Sequence, residues 1–231
     1  MDSLRRFQDD GYKNWIKTTM GLNCLKMRLG DFLENEIEIY HRELRKNVNI
    51  KLNGAMENTM SNQVHTVCKE EVCEQWRVAI LANHKGGQVY WNHTNPYLWP
   101  TRKWEVAKVH MNGGNGKHTR VEEFDISAFL NLKSHCLHFR KFAKPHLFTP
   151  VTNARNKVMY SDDFRVERKD LELFLGRIKE LGQALETHSP ELRKLAEEIE
   201  QLQNTDFSFI VNQFGKNWLE GNAEGNAEAQ C

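Results

Sequence analysis

Apolar side chains recur three or four residues apart along much of the chain. The N-terminal stripe predicts a helix from Tyr12 to about Asn47, and its buried face consists of Leu25, Leu29, Phe32, Leu33, Ile37 and Tyr40. The clearest stripe lies in the C-terminal half and consists of Leu171, Phe174, Leu175, Ile178, Leu181 and Leu185. These repeats predict a mainly α-helical fold that is built from helical bundles.

Cap residues and glycines predict where further helices begin and end. A helix over KEEVCEQWRVAILANH is expected to end at Gly86 and Gly87, and KWEVAKVHM is predicted to form a short helix. Other helix starts carry a cap residue, alone or followed by proline: Asp125 or Ser127, Thr149 with Pro150, and Ser189 with Pro190.

The remaining stretches lack helical spacing. Residues 48–66 are rich in Asn and Met and are predicted to form a flexible loop, whereas the aromatic, proline-bounded residues 88–100 suggest an extended segment. We divide the chain into an N-terminal helical region (1–47), that loop (48–66), an irregular Trp-rich segment (67–118), a helical bundle (119–210) and a disordered tail (211–231).

Composition restricts the function classes. The chain has 231 residues with 32 Lys and Arg against 31 Asp and Glu, so it lacks the overall positive field of sequence-independent DNA-binding proteins. No apolar run reaches the roughly 18 residues of a membrane span. We therefore expect a soluble protein of the cytoplasm or nucleus with no membrane partner, in which the five cysteines are thiols or metal ligands.

Two cysteines and two histidines form a candidate metal site. Cys68, Cys73, His84 and His93 would supply two thiolates and two imidazoles for one structural Zn²⁺, and His65 is a spare ligand. On one continuous helix the two cysteines would lie about 140° apart, so their convergence requires Cys68 to precede the helix. Alternatively, Cys73 is a small core residue and the histidines are surface or capping groups.

The Trp-rich segment has two interpretations. Its aromatic side chains could stack on bases or bind a proline-rich peptide, and they comprise Tyr90, Trp91, Tyr97, Trp99 and Trp104. Because no basic residues alternate regularly with these rings, packing in the core is the commoner role for them.

A locally basic stretch surrounds ARNKVMYS. Between residues 133 and 170 there are nine Lys or Arg against four Asp or Glu, an excess that could hold a phosphate backbone. A solvated helix face is the plainer explanation of such a charge count. Arg155 and Asn156 lie near the middle of the predicted bundle, where a buried guanidinium would require a partner.

Several longer motifs support a resemblance to a known family. They are YKNW at 12–15, VYWNHTNPYLWPTRKWEVAK at 89–108, FDISAFLNL at 124–132, ARNKVMYS at 154–161 and IEQLQNTDF at 199–207. Together they resemble the uncharacterised family typified by the human chromosome X open reading frame thirty-eight protein. This family implies no established activity. In its relatives a cysteine follows the central tryptophan where this chain has Thr94 next to His93.

The stretch 122–185 also resembles a HEPN domain, a helical bundle whose nuclease members act as dimers and carry Arg-x4-to-6-His. The resemblance implies metal-independent RNA cleavage in which His moves protons and Arg stabilises charge on the phosphate. Arg155 and Asn156 match the start of that motif, but Tyr160 stands where the pattern has His. A phenol titrates near about 10, whereas an imidazole near about 6.5 exchanges protons readily at pH 7.

These considerations predict a non-catalytic binding or scaffolding protein with a degenerate HEPN-like domain. Its expected partners are RNA or protein, and the HEPN-like bundle is expected to self-associate. The candidate contacts to RNA or phosphate are Arg155, Asn156, Tyr160 and Lys157. The alternatives are a weak metal-independent endoribonuclease, which would need His135, His138 or His146 near Arg155, and an interaction module without any nucleic-acid role.

Overall fold

The computed structural model describes residues 6–56 and 68–207. Within them the chain forms seven α-helices joined by turns and short 3₁₀ helices. The α-helices are α1 (Asp10–Met56), α2 (Cys68–Ala82), α3 (Lys103–Lys108), α4 (Ile126–His135), α5 (Phe148–Met159), α6 (Arg168–Leu185) and α7 (Arg193–Asn204). No β-strand occurs in these ranges, and the mainly α-helical fold is confirmed.

Helix α1 forms the centre of the molecule, because every other α-helix packs against it. It begins after Asp9, whose side chain accepts a hydrogen bond from the backbone N–H of Tyr12 at 2.9 Å. Its predicted stripe is buried throughout. At Gly21 the neighbouring helices approach so closely that an added Cβ would lie 2.6 Å from Leu175 Cδ2, so this position requires glycine.

The helix is longer than the sequence pattern indicates. It extends to Met56, whereas the pattern predicted that it would end near Asn47. Val48 is fully buried and continues the apolar stripe beyond the predicted end. The first part of the predicted flexible loop is therefore helical, and residues 57–67 lie outside the described part of the chain.

Helices α6 and α7 pack side by side on the N-terminal half of α1. All six residues of the predicted α6 stripe are buried, which confirms that helix and its orientation. Gly182 permits the contact with α7, because a Cβ there would lie 2.6 Å from Leu195 Cδ2. The N-terminal and C-terminal regions of the sequence thus share one hydrophobic core.

The segment 88–120 is compact rather than extended. Two 3₁₀ helices, Trp91–His93 and Pro96–Leu98, replace the extended segment predicted there, and α3 confirms the predicted short helix. A buried ion pair fixes this region: Lys108 Nζ lies 2.6 Å from Glu105 Oε1 and also donates to the Gly116 carbonyl at 3.0 Å. Glu105 also accepts the backbone N–H of Asn95 at 2.8 Å.

The caps of the later helices are only partly as predicted. Asp125 caps α4 by accepting the backbone N–H of Ala128 at 2.8 Å. Helix α5 already begins at Phe148, so Thr149 lies inside it and is not its cap. Ser189 makes no side-chain capping hydrogen bond, although a 3₁₀ turn starts at Pro190 as its sequence favours. The predicted tail at 211–231 lies outside the described residues.

None of the helices in the described ranges has the length and apolar character that crossing a bilayer requires.

Candidate phosphate-binding site at Arg155

Arg155 lies on α5, and two side chains hold its guanidinium against the start of α4. Its Nη2 donates to Asp125 Oδ2 at 3.3 Å, and Nη1 donates to Asn156 Oδ1 at 3.2 Å. The Nε atom is buried and has no hydrogen-bond acceptor within the described ranges. Because a guanidinium carries five N–H donors, the group retains donors for an oxyanion. The side chain is 17% exposed, so the remaining Nη N–H donors, and not the enclosed Nε, are candidates to bind a ligand oxygen.

Tyr160 follows the last turn of α5 and lies beside Arg155. The guanidinium carbon is 5.8 Å from the centroid of its ring, which is within cation–π range. The tyrosine is 76% exposed, so one face of its ring is open to a ligand. Lys157 instead pairs with Asp170 on α6 at 2.6 Å. Of the four predicted contact residues, Arg155, Asn156 and Tyr160 therefore form one group, and the Lys157 amine is directed to a different partner.

Two of the motifs that carry the family resemblance meet at this site. Trp15, from YKNW, donates its indole N–H to the carbonyl of Val158 within ARNKVMYS at 2.8 Å. Asn14 Nδ2 donates to the carbonyl of Val166 at 3.0 Å. The N-terminal turns of α1 thus fix the end of α5 and the loop after it. The two motifs lie about 140 residues apart, so sequence spacing did not predict their contact.

The structure brings none of the three alternative histidines to Arg155. His135 lies at the C-terminal end of α4, opposite the end that contacts Arg155. His138 pairs with Glu36 on α1 at 3.0 Å. His146 lies in the 3₁₀ turn Pro145–Leu147 before α5, and about two helical turns of α5 separate that turn from Arg155.

The basic excess counted in the sequence is largely neutralised by acids that lie outside the stretch 133–170. Arg155 pairs with Asp125, and Arg165 pairs with Asp9 at 2.5 Å. The side chain of Lys133 is buried and does not contribute to the surface. The site is therefore a single arginine with specific geometry, not a broad basic patch.

The two histidines predicted as metal ligands each accept a backbone hydrogen bond. His84 Nδ1 accepts the backbone N–H of Gly86 at 3.0 Å, and its ring stacks against His110 and His135 at centroid distances of 5.1 and 5.6 Å. His93 Nδ1 accepts the backbone N–H of Gly114 at 2.7 Å. Both histidines thus stabilise turns, as the alternative interpretation of the sequence expected.

The two cysteines lie on the same helix, since α2 begins at Cys68 and includes Cys73. The side chain of Cys68 and the whole of His65 lie outside the described part of the structure. Among the described residues, no group of three or more His, Cys, Asp or Glu side chains is arranged to hold a metal ion. The zinc site stays a prediction, and its coordination would require Cys68.

The hydroxyl of Thr94, next to the predicted ligand His93, has one backbone and one side-chain hydrogen-bond partner. Thr94 Oγ1 donates to the Glu105 carbonyl at 2.5 Å and accepts the Trp99 indole N–H at 2.8 Å. Trp99 and Trp104 are buried, so both act as packing anchors. Tyr97 differs from these tryptophans, because it is 69% exposed.

Three histidine rings stack in a row that no local sequence pattern predicted, with His84 between His110 and His135. His110 is fully enclosed, its Nε2 lies 3.1 Å from the Tyr40 hydroxyl, and burial lowers its pKa to about 3. Burial and the nearby His135 also lower the pKa of His84. Both shifts favour the uncharged forms of His110 and His84 in the folded protein. The histidines are 26 and 25 residues apart in sequence, a spacing that carries no local signal.

An open cleft of about 810 Å³ lies elsewhere, between α1 and the segment 98–122. Its central charges already have partners: Lys103 pairs with Glu34 at 2.6 Å and with Glu38 at 3.1 Å, and Trp104 donates to Glu34 at 3.0 Å. This internal pairing makes the cleft a weaker candidate than the Arg155 site, where the guanidinium retains Nη N–H donors.

Comparison with known proteins identifies a family without assigning an activity. The chain is 31% identical over 208 residues to the Uncharacterized protein CXorf38 homolog of Mus musculus, an alignment that covers 87% of this chain and 63% of that relative. The chain thus spans less than two thirds of that relative's length. No solved structure matches the chain. A family model described as Domain of unknown function (DUF4559) matches residues 6–219, and the chain therefore belongs to this family.

Proposed function

We propose that this protein is a non-catalytic RNA-binding protein, that its C-terminal helices form a HEPN-like bundle, and that Arg155 contacts an RNA phosphate. The observation that supports the proposal most directly is the Arg155 guanidinium, which is 17% exposed and is held by Asp125 and Asn156 through one N–H of each Nη atom. The second N–H of each Nη atom remains to donate to a phosphate oxygen.

The same geometry argues against efficient cleavage. Phosphodiester transfer to the 2′-hydroxyl needs a group that removes one proton and a group that delivers another. Tyr160 stands at the C-terminal end of the motif, where the nuclease pattern has His. A phenol is a poor base at neutral pH. General acid–base catalysis contributes about 10²- to 10⁴-fold in rate, so a site without an imidazole is expected to bind RNA and release it intact.

The small number of phosphate contacts gives the proposal a specific signature. Because the other basic groups nearby are paired, we expect one or two phosphate contacts and a shallow salt dependence. The slope of log K against log salt is expected to be about −0.7 for each contact to a single strand. A steep slope would indicate non-specific binding to many phosphates.

Fluorescence anisotropy with a labelled single-stranded RNA tests this proposal. Arg155→Ala is expected to weaken binding about tenfold or more, since a hydrogen bond to a charged group contributes about 1.5–3 kcal/mol. Arg177→Ala is the matched control, because Arg177 is an exposed arginine on α6 that pairs with Glu180 at 2.7 Å. Equal affinities of wild type and Arg155→Ala would refute the assignment.

The absence of cleavage is tested with the same oligonucleotide on a denaturing gel. The wild type is expected to leave it intact at pH 7. Tyr160→His supplies a titratable imidazole beside Arg155 and is expected to produce slow cleavage that Arg155→Ala removes. Cleavage by the wild type that depends on Arg155 would establish the ribonuclease alternative instead.

A further inference from the structure

Two exposed aromatic side chains follow α5 directly. Tyr160 is 76% exposed and Phe164 is 42% exposed, although large aromatic rings usually lie in the core. The loop between them is folded back, since Ser161 Oγ donates to Asp163 Oδ1 at 2.8 Å and the backbone N–H of Arg165 donates to the same carboxylate at 3.2 Å. Both rings therefore lie on one short surface segment.

Phe164 adopts a backbone conformation that bulky side chains avoid. Its φ angle is +55°, and it is the one non-glycine residue with positive φ in the described part of the chain. Left-handed geometry at such a residue costs on the order of 1 kcal/mol or more and is concentrated at functional sites. Here it places a ring that is partly exposed at the surface of the molecule.

The N-terminal turns of α1 pack against the Phe164 ring. Trp15 contacts Phe164 edge to face at a centroid distance of 5.2 Å. Tyr12 lies parallel to Trp15 at 6.0 Å, and Phe7 contacts Tyr12 at 5.4 Å. Phe164 is thus the exposed end of a row of four rings, which holds it in place.

The charges around the two rings differ from one side to the other. Arg155 lies against Tyr160, and its side chain is 17% exposed. Asp162 and Asp163 lie between the two rings in the sequence, and hydrogen bonds from Ser161 and from the Arg165 backbone lower the pKa of Asp163, which keeps it ionised. An anionic backbone is therefore attracted on the Arg155 side and repelled at the loop, where an uncharged flat group is favoured.

We infer that Tyr160 and Phe164 form a stacking surface for two unpaired bases of single-stranded RNA whose phosphate binds Arg155. This inference rests on the proposed phosphate site and adds the selectivity for single strands. Unpaired bases stack on exposed aromatic rings irrespective of sequence, whereas paired bases in a duplex do not present their faces. The aspartates of the loop orient the strand, because they exclude phosphate from the side on which the bases lie.

Anisotropy with labelled oligouridylate, free and annealed to its complement, tests the inference on the full-length protein. The Tyr160→Ala variant removes an exposed ring, and Tyr160→Phe keeps it. Phe164→Gly removes the second ring and relieves its backbone strain, so the fold is retained. Tyr97→Ala is the matched control, since Tyr97 is 69% exposed in the Trp-rich segment.

The inference predicts that Tyr160→Ala and Phe164→Gly each weaken single-strand binding about tenfold, as loss of one stacked base does. Tyr160→Phe and Tyr97→Ala are expected to bind as the wild type, and the duplex is expected to bind more weakly than the free strand. The thermal unfolding midpoint of each variant is measured as a control. A midpoint within a few degrees of the wild type shows that a loss of affinity comes from the missing ring and not from misfolding.

Other outcomes separate this inference from the proposal on which it rests. If Arg155→Ala abolishes binding while both ring variants bind normally, the phosphate site stands and the stacking surface is refuted. If the ring variants lose binding while Arg155→Ala does not, the phosphate assignment fails. If the wild type binds no RNA, both are wrong and a protein partner becomes the explanation of the exposed rings.

Discussion

Replacement of Lys133 by methionine is expected to stabilise the protein at neutral pH. The Lys133 ammonium lies in the core between α1 and α5, 4.6 Å from the Phe32 ring centroid and 5.2 Å from that of Phe148. It has no hydrogen-bond acceptor among the described residues, and burial lowers its pKa from 10.5 to about 7. Lys133→Met keeps an unbranched apolar chain and removes the charge.

The magnitude follows from two opposing effects. A pKa that falls from 10.5 to about 7 corresponds to about 5 kcal/mol of unfavourable free energy when the amine is protonated. The cation–π contacts with the two rings favour the protonated form by about 2 kcal/mol or more in a desolvated environment. The difference leaves a net gain of about 2–3 kcal/mol for Lys133→Met, or roughly 5–10 °C in Tm for a chain of this size.

The pH dependence distinguishes this explanation from a simple packing effect. The unfolded state binds a proton below about 10.5 and the folded state below about 7, so the penalty grows as pH falls through that window. Below about pH 7 both states are protonated and the penalty is constant. The advantage of Lys133→Met is therefore expected to be full at pH 7 and to shrink towards pH 10.

Urea unfolding of the wild type and the variant at pH 7 and pH 9.5 measures both effects. Lys141→Met is the matched control, because Lys141 is 52% exposed and lies over the Phe142 ring at 4.8 Å. That exchange is expected to change stability by less than about 0.5 kcal/mol. A destabilised Lys133→Met, or an advantage that does not change with pH, would refute the reasoning.

Three further predictions concern other parts of the molecule. His110 has a pKa of about 3 in the folded state and 6.5 in the unfolded state, so the protein loses stability as pH falls below 6.5, by about 2 kcal/mol at pH 5. Urea unfolding of His110→Gln is expected to show a smaller loss of stability over the same pH range. Asp125→Asn retains a helix cap but removes the charge that pairs with the guanidinium of Arg155. RNA affinity measured by anisotropy is therefore expected to rise about two- to fivefold. A fall in affinity would contradict the phosphate site. Elemental analysis after purification without chelators tests the zinc site: about one zinc per chain that Cys73→Ser removes would establish it, and less than about half an equivalent in the wild type would exclude it.

Much of the helical framework was predictable, because a buried helix face repeats every three to four residues. The α6 stripe and the Asp125 cap are local signals, and both are confirmed. The end of α1 was not predictable from the same pattern. The stretch after Asn47 is rich in Asn and Met and shows no sustained helical period, and the fully buried Val48 shows that packing continues there.

The burial of charged residues in the Trp-rich segment could not be predicted from the local sequence, for a different reason. Glu105 and Lys108 are charged residues three apart on a short helix, which the sequence presents as a solvated pair. The structure buries them because they satisfy backbone groups of two other turns, at Asn95 and Gly116. Partners of this kind cannot be read from spacing, since three separate segments supply them.

The candidate site shows the same division. Arg155, Asn156 and Tyr160 were identified from the sequence, and the structure keeps them together. Phe164 was not identified, because its importance depends on a positive φ angle and on support from Trp15. The neutralising acids at the site come from remote segments, so a charge count within one stretch overestimated its positive field.

The 47-residue α1 determines how the molecule must open. Since all other helices bury apolar surface on it, melting any of its middle turns would uncover several of them at once. Amides between about Leu22 and Leu44 are therefore expected to exchange with deuterium only through global unfolding, at a common free energy. Expression of residues 119–207 alone would leave them without this scaffold, and such fragments are expected to aggregate.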